Sequence, residues 1–185
     1  SMHRGHVNTG YVEVRARFPS GDKVWPALWL VAEDLAWGPE WDMWEYFGYR
    51  TDVGYDNMGN HLMTGRAGRP RWDSMWMSDF DAVYDSEVWH IYGFEWTPSH
   101  AVWTLDGTVV HTLHKADSVN PSDWPDEEMY IILNNGVRTA SPDTHTTWPN
   151  HLVIDYIEVY QKRVRADGAP ARNPSCPERP ETSTP

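Results

Sequence analysis

Short apolar or alternating segments recur along the chain at regular spacing, and many of them are bounded by Gly, Pro, Asn or Asp. In residues 10–18, Val12, Val14 and Ala16 alternate with charged residues, which is the pattern of a half-buried strand. The dipeptide Asp106-Gly107 separates two further apolar segments and is a strong signal for a tight hairpin. No segment shows a convincing helical period. The pattern predicts an antiparallel all-β fold, a β-sandwich of two packed sheets, with strands in residues 10–18, 25–31, 41–47, 58–64, 88–96, 101–113, 129–135 and 151–161.

The composition changes near residue 163, which suggests a domain boundary. Residues 9–162 carry the strand pattern, and residues 163–185 are rich in Pro and charged residues without periodicity, as in a linker or tail. Residues 1–8 are interpreted as a lead-in that begins with the expression remnant Ser1-Met2. A chain of 185 residues is long enough for one such domain with a real core.

The net charge of −12 argues against binding to nucleic acid or to an anionic membrane surface, because either partner requires a basic face. No stretch approaches the roughly 18 apolar residues of a membrane span. Twelve Trp and nine Tyr exceed the need of a core this size, and aromatic rings with polar tips suit the binding of flat, hydroxyl-rich sugar rings. The alternative is that these aromatic residues fill a Trp-rich sandwich core.

The segment GPEWDMWEYFG, residues 38–48, places three carboxyl groups inside an aromatic strand. Glu40 and Asp42 are two residues apart, whereas Asp42 and Glu45 are three apart, so a regular strand would turn Glu45 to the opposite face. One inserted residue, a β-bulge, would return Glu45 to the face of Glu40 and Asp42. Trp41, Met43 and Trp44 would then support the opposite face or the bulge.

Glycoside hydrolysis is the chemistry that requires such a group, because it uses two carboxyl groups flanking the scissile bond. At a separation of roughly 5–5.5 Å, one attacks the anomeric carbon and the other donates a proton, with retention of configuration. Neighbouring negative charge raises the pKa of the proton donor, which gives the third carboxyl group a purpose. The alternatives are a solvated acidic sheet face and a Ca²⁺ site of carboxylate oxygens.

The segment EWDMWE resembles the bulged E-x-D-x-x-E signature of glycoside hydrolase family 16. GYVEVRARFPSGDKVWPALWL, WHIYGFEWTPSHAVWTLDGTVV, MYIILNNGV and TTWPNHLVIDYIEVYQ resemble further segments of that family in the same order, so the resemblance covers roughly residues 9–162. It implies a jelly-roll (concanavalin A-like) sandwich with a cleft, and retaining endo-hydrolysis of a β-linked polysaccharide. It also implies a protein that is secreted or at the cell surface.

The resemblance also implies roles for individual residues. Glu40 would be the nucleophile, Glu45 the acid/base, and Asp42 the residue that orients Glu40. Substrate-binding positions on the cleft would be Glu13, Trp25, His61, Asn134 and Trp148. Asp155 resembles a ligand of a structural calcium ion far from catalysis, and no cofactor is expected for catalysis itself. Trp29, in contrast, is expected in the core.

The sequence departs from the family at two places. Family members usually carry several tens of residues before the GYVEVR strand, whereas about eight precede it here, so the sandwich is expected to lack outer strands. We expect a monomer unless the exposed edge strands associate. Residues 66–85 have no assignable match, and their Arg66, Arg69 and Arg71 would suit an acidic or sulfated glycan or pair with surface acids.

The first choice of substrate is a β-1,3- or β-1,3/1,4-glucan, because a neutral polymer suits an acidic protein with many aromatic side chains. A marine galactan (agar, porphyran or carrageenan), transglycosylation on the same fold and a non-catalytic carbohydrate-binding sandwich are the alternatives.

Overall fold

The computed structural model describes residues 6–34, 38–50, 55–65, 69–76, 84–138 and 144–161. They form two short 3₁₀ helices, Lys115–Asp117 and Pro121–Asp123, and eleven β-strands. The strands are β1 His6–Val7, β2 Gly10–Arg17, β3 Val24–Ala32, β4 Glu40–Arg50, β5 Tyr55–Thr64, β6 Arg71–Trp76, β7 His90–Trp96, β8 His100–Leu105, β9 Thr108–His114, β10 Met129–Val137 and β11 Val153–Tyr160.

The strands form two antiparallel sheets that pack face to face as a jelly-roll sandwich. One sheet has six strands in the order β1-β10-β3-β4-β5-β6, and the other has five in the order β11-β2-β7-β8-β9. Neighbouring strands such as β10 and β3 are distant in sequence, so the chain crosses between the two layers to build each sheet. The antiparallel sandwich predicted from the alternating pattern is confirmed.

The core between the sheets is built largely from aromatic residues. Trp41 of β4 packs against Trp103 of β8 at a centroid distance of 5.8 Å and against Trp124 at 5.1 Å. Met43 and Trp44 of β4 are also buried at 1% exposure or less. Much of the tryptophan content therefore belongs to the core, and Trp41, Met43 and Trp44 support the inward face of β4 as predicted.

All eight segments predicted as strands contain strand, and the hairpin is confirmed: Asp106 (φ 50°) and Gly107 (φ 81°) join β8 to β9 in the left-handed conformation of a two-residue turn. Two strands were missed. β1 lies in residues assigned to the lead-in, and β6 lies in the segment with no assignable match. The predicted tail, residues 163–185, lies outside the described residues.

No helix in the described part of the chain is long and apolar enough to cross a membrane.

Candidate active site

A cleft of about 600 Å³ lies on the face of the six-stranded sheet that is turned away from the second sheet. Alternation explains its position: Trp41 of β4 faces the core, so Glu40 and Asp42 on either side of it face outward. Twelve residues line the cleft: Trp25, Ala27, Trp29, Glu40, Asp42, Glu45, Phe47, His61, Trp72, Ser74, Trp76 and Asn134. The three carboxyl groups thus share one cavity.

The uneven spacing of the three acids is produced by a β-bulge, as the sequence predicted. Asp42 pairs with His61 of β5 and Glu45 pairs with Gly59, so β4 advances three residues while β5 advances two. The pairing with β3 shifts at the same point, with Asp42 opposite Trp29 and Trp44 opposite Leu28. The extra residue is Met43, and the side-chain amide of Asn60 donates a hydrogen bond to its carbonyl oxygen at 2.5 Å. Asn60 therefore supports the bulge, a role that sequence reasoning missed.

Burial raises the pKa of two of the three carboxyl groups. Asp42 is 4% exposed and its Oδ2 atom has no hydrogen-bond partner among the described residues. Burial, followed by the charges of Glu45 and Glu40, raises the Asp42 pKa well above its usual value. Burial also raises the pKa of Glu45 to about 7, with a further contribution from the charge of Glu40. A hydrogen bond from the Trp25 indole nitrogen to Glu45 Oε1, 2.6 Å, opposes that rise.

His61 lies beside Glu45 inside a cage of aromatic rings. Its Nε2 atom is 3.7 Å from Glu45 Oε2, and the rings of Phe47, Trp76 and Trp72 meet it edge-on at centroid distances of 5.6, 5.1 and 6.2 Å. Burial in this cage lowers the His61 pKa to about 4. The imidazole is therefore neutral near pH 7, where it offers one donor and one acceptor nitrogen to Glu45 or to a sugar hydroxyl.

On the β3 side, two tryptophans and an asparagine line the cleft. Trp25 is 42% exposed, and the Trp29 indole nitrogen donates a hydrogen bond to Asn134 Oδ1 at 2.7 Å. Trp25 and Asn134 thus lie where the resemblance placed them. The expectation that Trp29 belongs to the core is wrong: Trp25, Ala27 and Trp29 alternate on β3, so they share the cleft face.

The opposite side of the cleft is formed by β6, which the sequence did not predict. Cross-strand pairing aligns Glu40 with Trp72, Asp42 with Ser74 and Glu45 with Trp76, in each case through one residue of β5. Trp72 is 42% exposed. The alternation of Trp72, Ser74 and Trp76 was the available signal, but the surrounding charges of residues 66–85 obscured it.

Three predicted site residues, Glu13, Trp148 and Asp155, are not among the residues that line the cleft. Glu13 belongs to β2 of the five-stranded sheet, where Val12 and Val14 fill the core and Glu13 points outward. Its carboxylate accepts hydrogen bonds from the hydroxyl groups of Tyr11 and Tyr156 at 2.9 and 2.8 Å, so the prediction that it lines the cleft is wrong. Trp148 is 47% exposed in the segment before β11 and is not among the lining residues.

Asp155, the predicted calcium ligand, accepts a hydrogen bond from the guanidinium of Arg15. Within residues that the structure describes, no group of three or more His, Cys, Asp and Glu side chains is arranged to hold a metal ion.

Three arginines in residues 66–85 were candidates for binding an acidic or sulfated glycan. Arg66 lies outside the described residues, and Arg69 is exposed. Arg71 alternates with Trp72 on β6 and so points away from the cleft face.

The arrangement suits acid–base chemistry on a neutral, ring-containing ligand. Glu45 can hold a proton near pH 7, and burial beside Glu40 and Glu45 favours the protonated form of Asp42. Tryptophan rings on both sides of the acids present flat apolar faces for stacking.

Comparison with known proteins agrees with this geometry. The structure resembles the laminarinase catalytic domain of Thermotoga maritima with a TM-score of 0.70 and 27% sequence identity, covering 88% of this chain and 67% of that one. The chain is 29% identical to a beta-glucanase of Rhodothermus marinus and 30% identical to an endo-1,3-1,4-beta-glycanase of Rhizobium meliloti, in both cases over 82% of its length. It spans 57% and 30% of the lengths of these two relatives. Residues 3–158 match the model of the glycosyl hydrolases family 16, and with this match added to the bulged acidic strand and the sandwich fold, the chain belongs to that family.

Proposed function

We propose that the protein is a retaining endo-glycoside hydrolase that cleaves a β-1,3- or β-1,3/1,4-linked glucan. The observation that carries the proposal is the placement of Glu40, Asp42 and Glu45 in one cleft, with the pKa of Glu45 at about 7. A general acid works best when its pKa lies near the operating pH, and Glu45 meets that condition. The relatives named as beta-glucanase and endo-1,3-1,4-beta-glycanase support the choice of substrate.

In the proposed first step, the carboxylate of Glu40 attacks the anomeric carbon and the bond from that carbon to the leaving oxygen breaks. Glu45 transfers its proton to this oxygen, which departs as the free hydroxyl of the shortened chain. A covalent bond between Glu40 and the sugar remains. Asp42 lies on the same strand face as Glu40, and because its raised pKa favours the protonated form, it can donate a hydrogen bond that orients the nucleophile.

In the second step, Glu45 is a carboxylate and removes a proton from water. The water oxygen attacks the anomeric carbon, the bond to Glu40 breaks, and Glu45 is again protonated. The two displacements retain the configuration of the anomeric carbon. His61 is neutral near pH 7, so it can contact Glu45 in both protonation states without adding a positive charge that would hold Glu45 ionised.

Aromatic residues on both sides of the carboxyl groups support cleavage within a polymer rather than at its end. Trp25 and Trp29 on β3, and Trp72 and Trp76 on β6, leave room for sugar rings on either side of the scissile bond. β3 and β6 are three strand spacings apart, which is about 14 Å. A neutral glucan fits best because no described arginine lines the cleft. Action on such a polymer would be consistent with a protein that is secreted or at the cell surface.

A panel of laminarin, lichenan, agarose and carrageenan, assayed for new reducing ends, tests the proposal. We expect release from laminarin or lichenan, internal cleavage visible as a rapid fall in viscosity, and the β-anomer as the first product by NMR. Glu40→Gln should abolish turnover while the circular dichroism spectrum is unchanged, and Glu87→Gln, an exposed turn residue in the five-stranded half, is the matched control. Release from agarose alone, or unchanged turnover in Glu40→Gln, would contradict it.

A further inference from the structure

A second bulge interrupts β4 just beyond the catalytic one. Tyr46 pairs with Met58 and Tyr49 with Asp56, so β4 again advances three residues while β5 advances two. Gly48 lies in this interval with φ +96°, a left-handed conformation that favours glycine, and a Cβ atom there would be 3.2 Å from the carbonyl oxygen of Asp22. Phe47 precedes Gly48 and follows Glu45 by two residues, so it shares the cleft face and lies next to His61.

Arg138 holds this second bulge from the end of β10. Its Nη1 atom donates a hydrogen bond to the carbonyl oxygen of Phe47 at 2.7 Å, and its guanidinium carbon is 5.8 Å from the centre of the Phe47 ring. Its own backbone N–H donates to the carbonyl oxygen of Lys23 at 2.8 Å, which fixes the base of the side chain. A bulge disrupts the regular hydrogen bonding between paired strands. A charged donor is a strong hydrogen-bond partner for a carbonyl group that the bulge leaves unpaired.

The position of Phe47 determines the environment of His61 and, through it, of Glu45. The Phe47 ring packs on His61 at 5.6 Å and on Trp76 at 4.9 Å, so it closes one side of the cage around the imidazole. Arg138 is half-buried behind this ring. Any movement of the Phe47 backbone would therefore change the packing around the imidazole that lies beside Glu45.

Residues from four strands surround Glu45 in the cleft. Glu40 and Asp42 come from β4 and His61 from β5, while β3 contributes the neutral Trp25 and β6 the neutral Trp76. Arg138, after β10, supplies positive charge that lowers the pKa of Glu45, against the stronger effect of burial. Within the described part of the chain, Arg138 is the cation whose charge lowers the pKa of Glu45.

We propose that Arg138 is a positioning residue of the active site, which anchors the bulge at Phe47 and supplies positive charge that acts on Glu45. This inference rests on the proposed role of Glu45 as proton donor. Arg138 does not line the cleft and does not contact substrate; it acts through Phe47 and through its charge.

Two substitutions test the charge of Arg138. Arg138→Gln removes the charge and, because its side chain is two bonds shorter, also removes the hydrogen bond to the Phe47 carbonyl oxygen, so the pKa of Glu45 should rise. The basic limb of the kcat/KM pH profile should then move to higher pH, because Glu45 keeps its proton at higher pH. Arg138→Lys retains the charge, and its basic limb should stay at the wild-type pH. A purely structural role would lower activity in both variants without moving the limb.

Carbon-13 NMR of the glutamate side-chain carboxyl groups measures the same shift without turnover, with Glu45→Gln used to assign the Glu45 signal. If the wild type cleaves no polysaccharide, the proposed function fails while this titration still tests the inference. The inference is overturned if Glu45 titrates at the same pH in wild type and Arg138→Gln. It is equally overturned if Arg138→Lys moves the titration as far as Arg138→Gln. Should Arg138→Gln not fold, a shifted Glu45 titration in Arg138→Lys alone would contradict it.

Discussion

Replacing Glu45 with Gln should stabilise the protein at high pH, because the native fold disfavours the charged form of this carboxyl group. Its side chain is 12% exposed, and its pKa is about 7 in place of 4.5. In the unfolded chain the group ionises near pH 4.5, so native stability that is fully present below that pH is lost as the pH rises to 7. At 1.36 kcal/mol for each pH unit between the two values, the loss is about 3 kcal/mol.

The assay is thermal and urea unfolding of wild type and Glu45→Gln at pH 4 and pH 8. The variant should gain about 3 kcal/mol relative to wild type between the two conditions, which for a chain of this size raises Tm by about 6–12 °C. Glu87→Gln, at an exposed turn position, is the control and should follow wild type at both pH values. If the difference between Glu45→Gln and wild type is the same at pH 4 and pH 8, Glu45 titrates at its ordinary pKa. The structural account of proton retention would then be refuted.

Three further substitutions test other parts of the cleft. Gly59→Ala would place a Cβ atom 2.5 Å from Nε2 of His61, so kcat/KM should fall about 10- to 100-fold with little change in the circular dichroism spectrum. Unchanged kinetics would show that the position of the imidazole is not critical. Trp25→Phe removes the indole hydrogen bond to Glu45, so the pKa of Glu45 should rise and the basic limb of the pH profile should move to higher pH; a limb that moves down would contradict the reasoning. Trp72→Ala removes an exposed stacking surface, and its KM for polymer should rise about threefold to tenfold with kcat nearly unchanged, whereas a loss of kcat alone would place Trp72 in the chemistry instead.

The predictions that succeeded depend on local patterns. Alternation of Val12, Val14 and Ala16 places one face of β2 in the core, and Asp106-Gly107 requires the left-handed conformation of a tight turn. The first bulge of β4 was predictable because the spacing of Glu40, Asp42 and Glu45 has no other simple explanation on one strand face. Each of these inferences uses a few neighbouring residues and the period of a strand.

The predictions that failed depend on contacts between distant segments. Glu13 was assigned to the cleft by resemblance, but whether a strand belongs to one sheet or the other is decided by long-range pairing that local alternation does not report. Trp29 is different, since its alternation with Trp25 on β3 was visible in the sequence, but the expectation of a core position did not take that alternation into account. Arg138 acts on Phe47 across 91 positions of the chain, and no local pattern connects the two.

The protonation roles in the cleft follow from burial. Three carboxyl groups in one cavity cannot all be ionised without strong repulsion, so the most buried one retains its proton first. That group is Asp42, at 4% exposure and with an Oδ2 atom that lacks a described hydrogen-bond partner. Glu45 is less buried and receives the Trp25 hydrogen bond, so its proton is held less firmly and can be transferred near pH 7.

The bulge makes this order of proton retention chemically useful, because it keeps Glu45 in the same cavity as Asp42 and Glu40. If the same residues ran as a regular strand without the bulge, Glu45 would face the core, and Glu40 and Asp42 would be left as a pair on the cleft face with no third carboxyl group beside His61. With the bulge, Asp42 lies between the other two acids. The same short stretch of β4 thus places the proposed nucleophile Glu40, the buried Asp42 and the proposed proton donor Glu45 in one cavity.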